Sequence, residues 1–254
     1  MILALDIGNT AVKGGLFDGA HLARTFRLAT DPAASVPTYR HTLRRHLDGA
    51  EVERIGIASV VPGVAERVTE AVRAETLRVP VLVRPSLALP FEMGYRTPET
   101  LGADRLAAAA GAWNRYRTDA PDRPLVVVDA GTAVTVEVVS ADGVFLGGAI
   151  GAGPDLVRRA LARGTGQLPE VEAEIPKRAV GRSTEEGVHA GTMLPFLDGV
   201  RGLLARVAGE LDAEPLVIAT GGWGGLLAEH ISRIDHTESH LVLRGVRVLL
   251  GLNP

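Results

Sequence analysis

The sequence predicts an α/β fold of two similar halves, each a mixed sheet flanked by helices. Two observations predict it. A run of strand, glycine-broken turn, strand, Asp-Gly turn and strand starts at Ile2 and recurs from Pro124. Each run opens on an apolar strand ending in an aspartate, Asp6 in the first and Asp129 in the second. The halves therefore divide as residues 1–118 and 119–254.

In the first half, Ile2 to Asp6 reads as a buried strand, broken by Gly8 and Asn9, with Ala11 to Phe17 as its hairpin partner. Asp18-Gly19 is a two-residue turn signal before a third strand, His21 to Leu28. Ser35 to Leu47 has helical character with Ser35 as N-cap, Ile55 to Val61 is a strand, and Pro62 opens a helix over Gly63 to Leu77. Val79 to Val83 is a short strand, Arg84 to Glu99 an ordered loop, and Thr100 to Tyr116 an alanine-rich helix. In the second half, Pro124 to Asp129, Ala133 to Val139 and Val144 to Gly148 are strands, with Asp142-Gly143 as a turn. The remainder is mostly helical, with a strand at Pro215 to Ala219 and a closing helix near Leu241 to Leu250.

Composition narrows the function classes. The 254 residues are 46% hydrophobic and 22% charged, with a net charge of -3, an ordinary balance for a soluble globular chain. That charge gives no footprint for nucleic acid or an anionic membrane. With no cysteine, disulfides, thiolate metal sites and cysteine nucleophiles are excluded. The start MILALDIGNT lacks the basic opening and longer apolar run of a secretion signal, and no run of about 18 apolar residues exists. A cytoplasmic protein is expected.

The chemistry lies at the two strand ends. In Asp6-Ile7-Gly8-Asn9-Thr10-Ala11-Val12-Lys13, Gly8 lets the backbone turn tightly toward a ligand, and Asn9 and Thr10 offer donors for phosphate oxygens. Lys13 can return its ammonium to the turn, and Asp6 is a hard oxygen donor suited to magnesium. Asp129-Ala130-Gly131-Thr132-Ala133-Val134-Thr135 is the second copy. Two such hairpins clamping one nucleotide would supply the positioning and charge stabilisation that phosphoryl transfer needs.

With these residues in hand, the chain resembles the type III pantothenate kinases from end to end. The resemblance rests on Asp6 to Lys13, Ser59-Val60-Val61-Pro62, Gly102-Ala103-Asp104-Arg105 and Asp129-Ala130-Gly131-Thr132-Ala133 with Thr135. It continues through Gly147-Gly148-Ala149-Ile150, Gly181 with Thr184, and Thr220-Gly221-Gly222. It implies duplicated ribonuclease H-like halves of the actin, hexokinase and acetate kinase superfamily. It also implies phosphorylation of pantothenate by ATP to 4′-phosphopantothenate, the first step of coenzyme A biosynthesis.

By the same resemblance, Asp104 is the general base, and Tyr95, Gly102, Ala103, Asp104, Arg105 and Thr184 bind pantothenate. The nucleotide falls to Asp6 through Lys13 and to Thr132. Asp6 meets Mg²⁺ through the nucleotide, and Asp129 holds a monovalent cation, K⁺ or NH₄⁺. Thr184 reaches the neighbouring subunit's site, so a homodimer with a shared active site is implied. The stripe Met193, Leu194, Phe196, Leu197, Val200, Leu203 and Leu204 offers an apolar surface for it. Two positions depart from the family pattern: Glu137 stands for an aspartate and Ala152 for a proline.

Two alternatives stand beside this reading. One keeps the fold and changes the reaction, to a sugar or carboxylate kinase or a polyphosphate hydrolase. The Gly102 to Arg105 motif speaks against it. The other is a non-catalytic accessory regulator, for which Asp6, Asp104 and Asp129 would have no chemical need. The basic run Arg40 to His46 reads as a solvated helix face, and His189, His230, His236 and His240 lack metal spacing, with His236 and His240 in a surface loop. Trp113 and Trp223 read as packing residues.

Overall fold

The computed structural model describes the whole chain, Met1–Pro254. Its first elements are β1 (Ile2–Ile7), β2 (Ala11–Asp18), β3 (His21–Ala29), α1 (Val36–Leu47), β4 (Arg54–Ser59), α2 (Pro62–Thr76), β5 (Val81–Leu82), β6 (Glu92–Met93) and α3 (Ala103–Tyr116). Then come β7 (Leu125–Ala130), β8 (Ala133–Val139), β9 (Val144–Ala152), α4 (Pro154–Gly164) and α5 (Thr184–Gly209). β10 (Leu216–Thr220), α6 (Gly224–His230), β11 (His236–Thr237) and α7 (Leu241–Leu252) complete it. One unit comprises Met1–Asp119, Gly143–Leu146 and His240–Pro254, the other Ala120–Asp142 and Gly147–Ser239.

In the first unit the hairpins β1–β2 and β2–β3 are antiparallel, while β4 runs parallel to β1 and β5 to β4. The sheet order is β3-β2-β1-β4-β5. A parallel neighbour requires a crossover, which α1 supplies between β3 and β4. Alternation along β1 sends Leu3, Leu5 and Ile7 to one core, where Tyr39, Leu43 and Leu47 of α1 and Val64, Val68 and Val72 of α2 meet them. On the opposite face Ala4 is small and Asp6 polar. Ala4 lies in register with Gly15 on one side and Gly56 on the other. A Cβ at Gly56 would come within 2.5 Å of Val246 on α7, so bare backbone lets that last helix sit close to the sheet. Ser35 caps α1 by accepting the Thr38 N–H, as expected.

The second unit repeats the plan. β8 pairs antiparallel with β7, β10 runs parallel to β7 and β11 to β10, giving the order β11-β10-β7-β8-β9. Met193, Phe196, Leu197, Val200 and Leu204 of α5 are buried with Val126, Val128 and Val136 of this sheet. The helical stripe expected to serve a dimer therefore packs inside its own unit.

Other expectations are corrected in detail. The segment Arg84 to Glu99 is not only a loop, because Glu92–Met93 pairs in parallel with Val144 and Phe145 at the start of β9. Phe91 drives this ordering: it is buried, stacks on Phe145 at 5.9 Å and meets Trp113 edge-on. β9 runs on to Ala152, past Gly147 at φ 116°, a conformation that a side chain would resist. The helix expected from Thr100 begins at Ala103, after a single 3₁₀ turn over Pro98–Thr100. His236 lies in the short strand β11 rather than a loop. No helix is long and apolar enough to cross a membrane.

Candidate active site

Asp6 is the penultimate residue of β1, almost fully buried, and lies directly opposite Lys13 across the β1–β2 hairpin. Residues opposite one another in a pair share a face, so the Lys13 ammonium reaches Asp6 Oδ2 at 3.5 Å. The turn between them is held by backbone: Gly8 N–H donates to Ala11 O at 3.0 Å and Val60 N–H to Ile7 O at 3.1 Å. Ala11 and Val12 are buried, which leaves Asn9 and Thr10 exposed at the tip. Sequence reasoning missed Thr30. Its hydroxyl donates to Gly8 O at 2.7 Å and its N–H to Thr10 O at 3.2 Å, tying the loop to the end of β3. Only strand register could have revealed it.

Gly102, Ala103, Asp104 and Arg105 form the start of α3, with Gly102 as N-cap. Asp104 is half-buried in the first turn, and its Oδ1 accepts the Arg105 N–H at 2.8 Å. A Cβ at Gly102 would lie 2.6 Å from that same oxygen, so glycine is needed for the carboxylate to sit there. Arg105 is buried. The Ser59 motif and Gly102 meet at one cavity of about 820 Å³, whose lining includes Ser59, Val60, Arg84, Ser86 and Glu99. Ser59 Oγ accepts the Val61 N–H at 3.1 Å. Tyr95 is half-buried and edge-on to Phe145 at 6.1 Å.

In the second unit Asp129 is half-buried near the end of β7, opposite Thr135 and beside Thr220 in the parallel neighbour. The loop to β8 is closed by Gly131 N–H on Ala133 O at 2.9 Å, and Thr132 O accepts the Gly153 N–H at 2.9 Å. Gly221 at φ 85° passes so close to Ala130 O and Asp129 Oδ1 that no side chain could replace its hydrogen. Thr184 lies on a separate element, exposed at the first residue of α5. The capping work there belongs to Ser183, whose Oγ accepts the Glu186 N–H at 3.2 Å.

A model of the type III pantothenate kinase family matches residues 2–206. A type III pantothenate kinase from Anaeromyxobacter sp. (strain K) is 38% identical over 254 residues, covering 98% of each chain. The chain belongs to the type III pantothenate kinase family. Two solved structures share its fold. One is a ROK family glucokinase from Streptomyces griseus in complex with glucose and AMPPNP, at TM-score 0.57 and 14% identity over 96% of this chain and 97% of that one. The other is the ethanolamine utilization protein EutJ from Carboxydothermus hydrogenoformans, at TM-score 0.59 and 15% identity over 97% and 89%. At those identities the likeness speaks for the fold alone, which is the duplicated ribonuclease H-like one expected from the sequence.

No group of three or more His, Cys, Asp or Glu side chains is placed to hold a metal. Asp6 is a single carboxylate beside a lysine, which fits an ion carried in by phosphates and waters rather than an all-protein cage. Asp129 is flanked in register by threonines, an oxygen donor set suited to a hard cation.

Proposed function

We propose that this member of the type III pantothenate kinase family transfers the γ-phosphoryl group of ATP to the hydroxyl of pantothenate, giving 4′-phosphopantothenate and ADP. The product is the entry compound of coenzyme A synthesis. The observation that carries the reading is the carboxylate of Asp104, in the first turn of α3 with one oxygen engaged by Arg105 N–H. The other oxygen can take the hydroxyl proton as the substrate oxygen bonds to the γ-phosphorus and the bond to the bridging β,γ-oxygen breaks. Arg105, Gly102 and Ala103 line the acceptor side with Tyr95, and the buried guanidinium of Arg105 suits acceptor or phosphate oxygens.

In this reading the Gly8–Thr10 tip and Lys13 bind nucleotide phosphates, and Thr132 is a further nucleotide-binding residue. Mg²⁺ would be met by Asp6 through the nucleotide, and K⁺ or NH₄⁺ by Asp129, each neutralising phosphate charge when bound. Thr184 serves the acceptor of a second copy in a homodimer. Its exposure supports that, as do the exposed apolar side chains of Ile150, Ile175 and Val180 in the same unit. A cytoplasmic location suits a kinase that draws on ATP. The test is incubation with pantothenate, ATP, magnesium and potassium, following ADP release and the mass of the product. Absence of 4′-phosphopantothenate from folded, dimeric protein would remove the reading, and a substrate panel would then find the acceptor.

A further inference from the structure

Trp223 and Asp155 form part of a closed circuit that includes the loop of Thr132. The backbone of Trp223 donates its N–H to Ala130 O at 2.9 Å, at the very end of β7. Its carbonyl accepts the Leu227 N–H at 2.9 Å, which starts α6. Its ring packs edge-on to Phe196 of the buried face of α5, at 6.4 Å between centroids. The indole Nε1–H donates to Asp155 Oδ2 at 3.3 Å.

Asp155 stands in the first turn of α4, and its other oxygen accepts from Arg158 Nη2. Arg158 is 8% exposed, and its Nε is buried without a hydrogen-bond partner. The Asp155 carboxylate is thus the counter-charge of a buried guanidinium as well as the indole's acceptor. The circuit closes through Gly153, the N-cap of α4, whose N–H donates to Thr132 O at 2.9 Å. A Cβ at Gly153 would lie 2.8 Å from Thr132 O and closer still to Gly131 O, so the helix start rests directly on the loop backbone. Two tethers therefore leave residues 130–132, one through the Trp223 backbone and one through Gly153, and the Asp155–indole bond joins them.

We propose that Asp155 and Trp223 are positioning residues for the second phosphate loop, setting nucleotide affinity without touching the reacting atoms. This rests on the reading that the loop of Thr132 meets the nucleotide. A loop fixed in advance presents its donors with little reorganisation when phosphate arrives. With the Asp155–indole bond removed, α4 and α6 are each still attached to the loop but no longer to each other, and the loop has more ways to sit.

The test is steady-state kinetics of Asp155→Ala, Trp223→Phe and the double variant, with Asp155→Asn as the conservative control. KM for ATP should rise about ten-fold in either single variant, the scale set by one charge-assisted hydrogen bond. KM for pantothenate should stay within about two-fold. The double variant should be no worse than Asp155→Ala, which already cuts the indole bond and also removes the counter-charge of Arg158. Asp155→Asn, which keeps an acceptor for the indole, should recover most of the ATP affinity. An unchanged KM for ATP in either folded single variant would overturn the proposal, as would additive effects or equal losses toward both substrates.

Trp113→Phe leaves Trp223 as the sole tryptophan and needs no change in the circuit. In that protein AMPPNP should shift the indole emission, and no shift at saturating AMPPNP would also overturn the proposal. This readout covers variants that fail to fold. Failure of the pantothenate kinase activity looks different: the unsubstituted protein would not turn over pantothenate, while the AMPPNP titration would still report on the loop.

Discussion

Asp104→Asn separates proton acceptance from everything else the side chain does. The carboxylate is half-buried at the start of α3, and Oδ1 accepts the Arg105 N–H at 2.8 Å. Asparagine keeps that oxygen and its bond. Two things are lost, the basic second oxygen and a negative charge at a helix N-terminus. The charge is worth about 0.3–1 kcal/mol to the helix, which for a chain of this length moves Tm by about 2–4 °C at most. General base catalysis is worth about 10²–10⁴-fold, or roughly 2.7–5.5 kcal/mol on the barrier. The kinetic effect therefore exceeds the structural one several-fold, and the two are measured apart. Turnover should fall by two to four powers of ten (about 10²–10⁴) while AMPPNP binding by calorimetry stays within about two-fold. Turnover within ten-fold of the unsubstituted protein would refute a general-base role for Asp104. A matching loss of AMPPNP binding would instead point to a damaged nucleotide site.

Three further outcomes follow from the same structure. Glu75, paired with Arg44 and Arg40, has its pKa lowered from 4.5 to about 2, first by the Arg44 hydrogen bond and also by that from Arg40. A depressed acid contributes stability above the unfolded value of 4.5 and loses it as pH falls toward about 2, so Glu75→Gln should cost about 1 kcal/mol at pH 7, screened by the exposed arginines, and almost nothing near pH 2 in urea titrations. Turnover should depend on potassium, and equal rates in sodium-only buffer would remove Asp129 from cation binding. Co-folded Asp104→Asn and Thr184→Val chains should regain part of the activity each lacks alone, whereas no recovery in demonstrated heterodimers would show that the acceptor site is not shared.

What the sequence made legible was local. The Asp-Gly turn signals and the aspartates near strand ends are written in neighbouring residues; the structure has strands on both sides of each turn, although the first loop is Gly19-Ala20, with Asp18 still paired to His21. Ser35 was readable as a cap for the same reason. The misses depend on partners distant in sequence. Glu92–Met93 becomes a strand only because Phe145 covers Phe91, and nothing within Arg84 to Glu99 carries that information. The stripe from Met193 to Leu204 had the right periodicity, but periodicity cannot say whether the covering surface is the chain's own sheet or a second copy. In the site, the Asp6 to Lys13 run reads directly because a hairpin brings its two ends together, while Thr30 reaches Gly8 O only through the β2–β3 register.

Duplication supplied two equivalent strand ends, and differences at two register positions set them apart. Asp6 faces Lys13 and lies beside Ala58, whereas Asp129 faces Thr135 and lies beside Thr220. The first aspartate carries an ammonium built into the hairpin, 3.5 Å from its oxygen, the fixed positive charge that the proposed function assigns to phosphates. The second has hydroxyl-bearing neighbours at the same places, the position where the proposed function puts an exchangeable cation. Thr135→Lys tests this division by importing the first copy's residue into the second. The new ammonium should reach Asp129 as Lys13 reaches Asp6. A cation about 4 Å from it would meet about 4 kcal/mol of repulsion at an effective dielectric of 20, nearly three powers of ten in affinity. Potassium stimulation should disappear in this variant, leaving a rate indifferent to the choice of sodium or potassium. If potassium still stimulates Thr135→Lys at its original concentration, the cation does not sit beside Asp129, and the second loop's aspartate must be given another task.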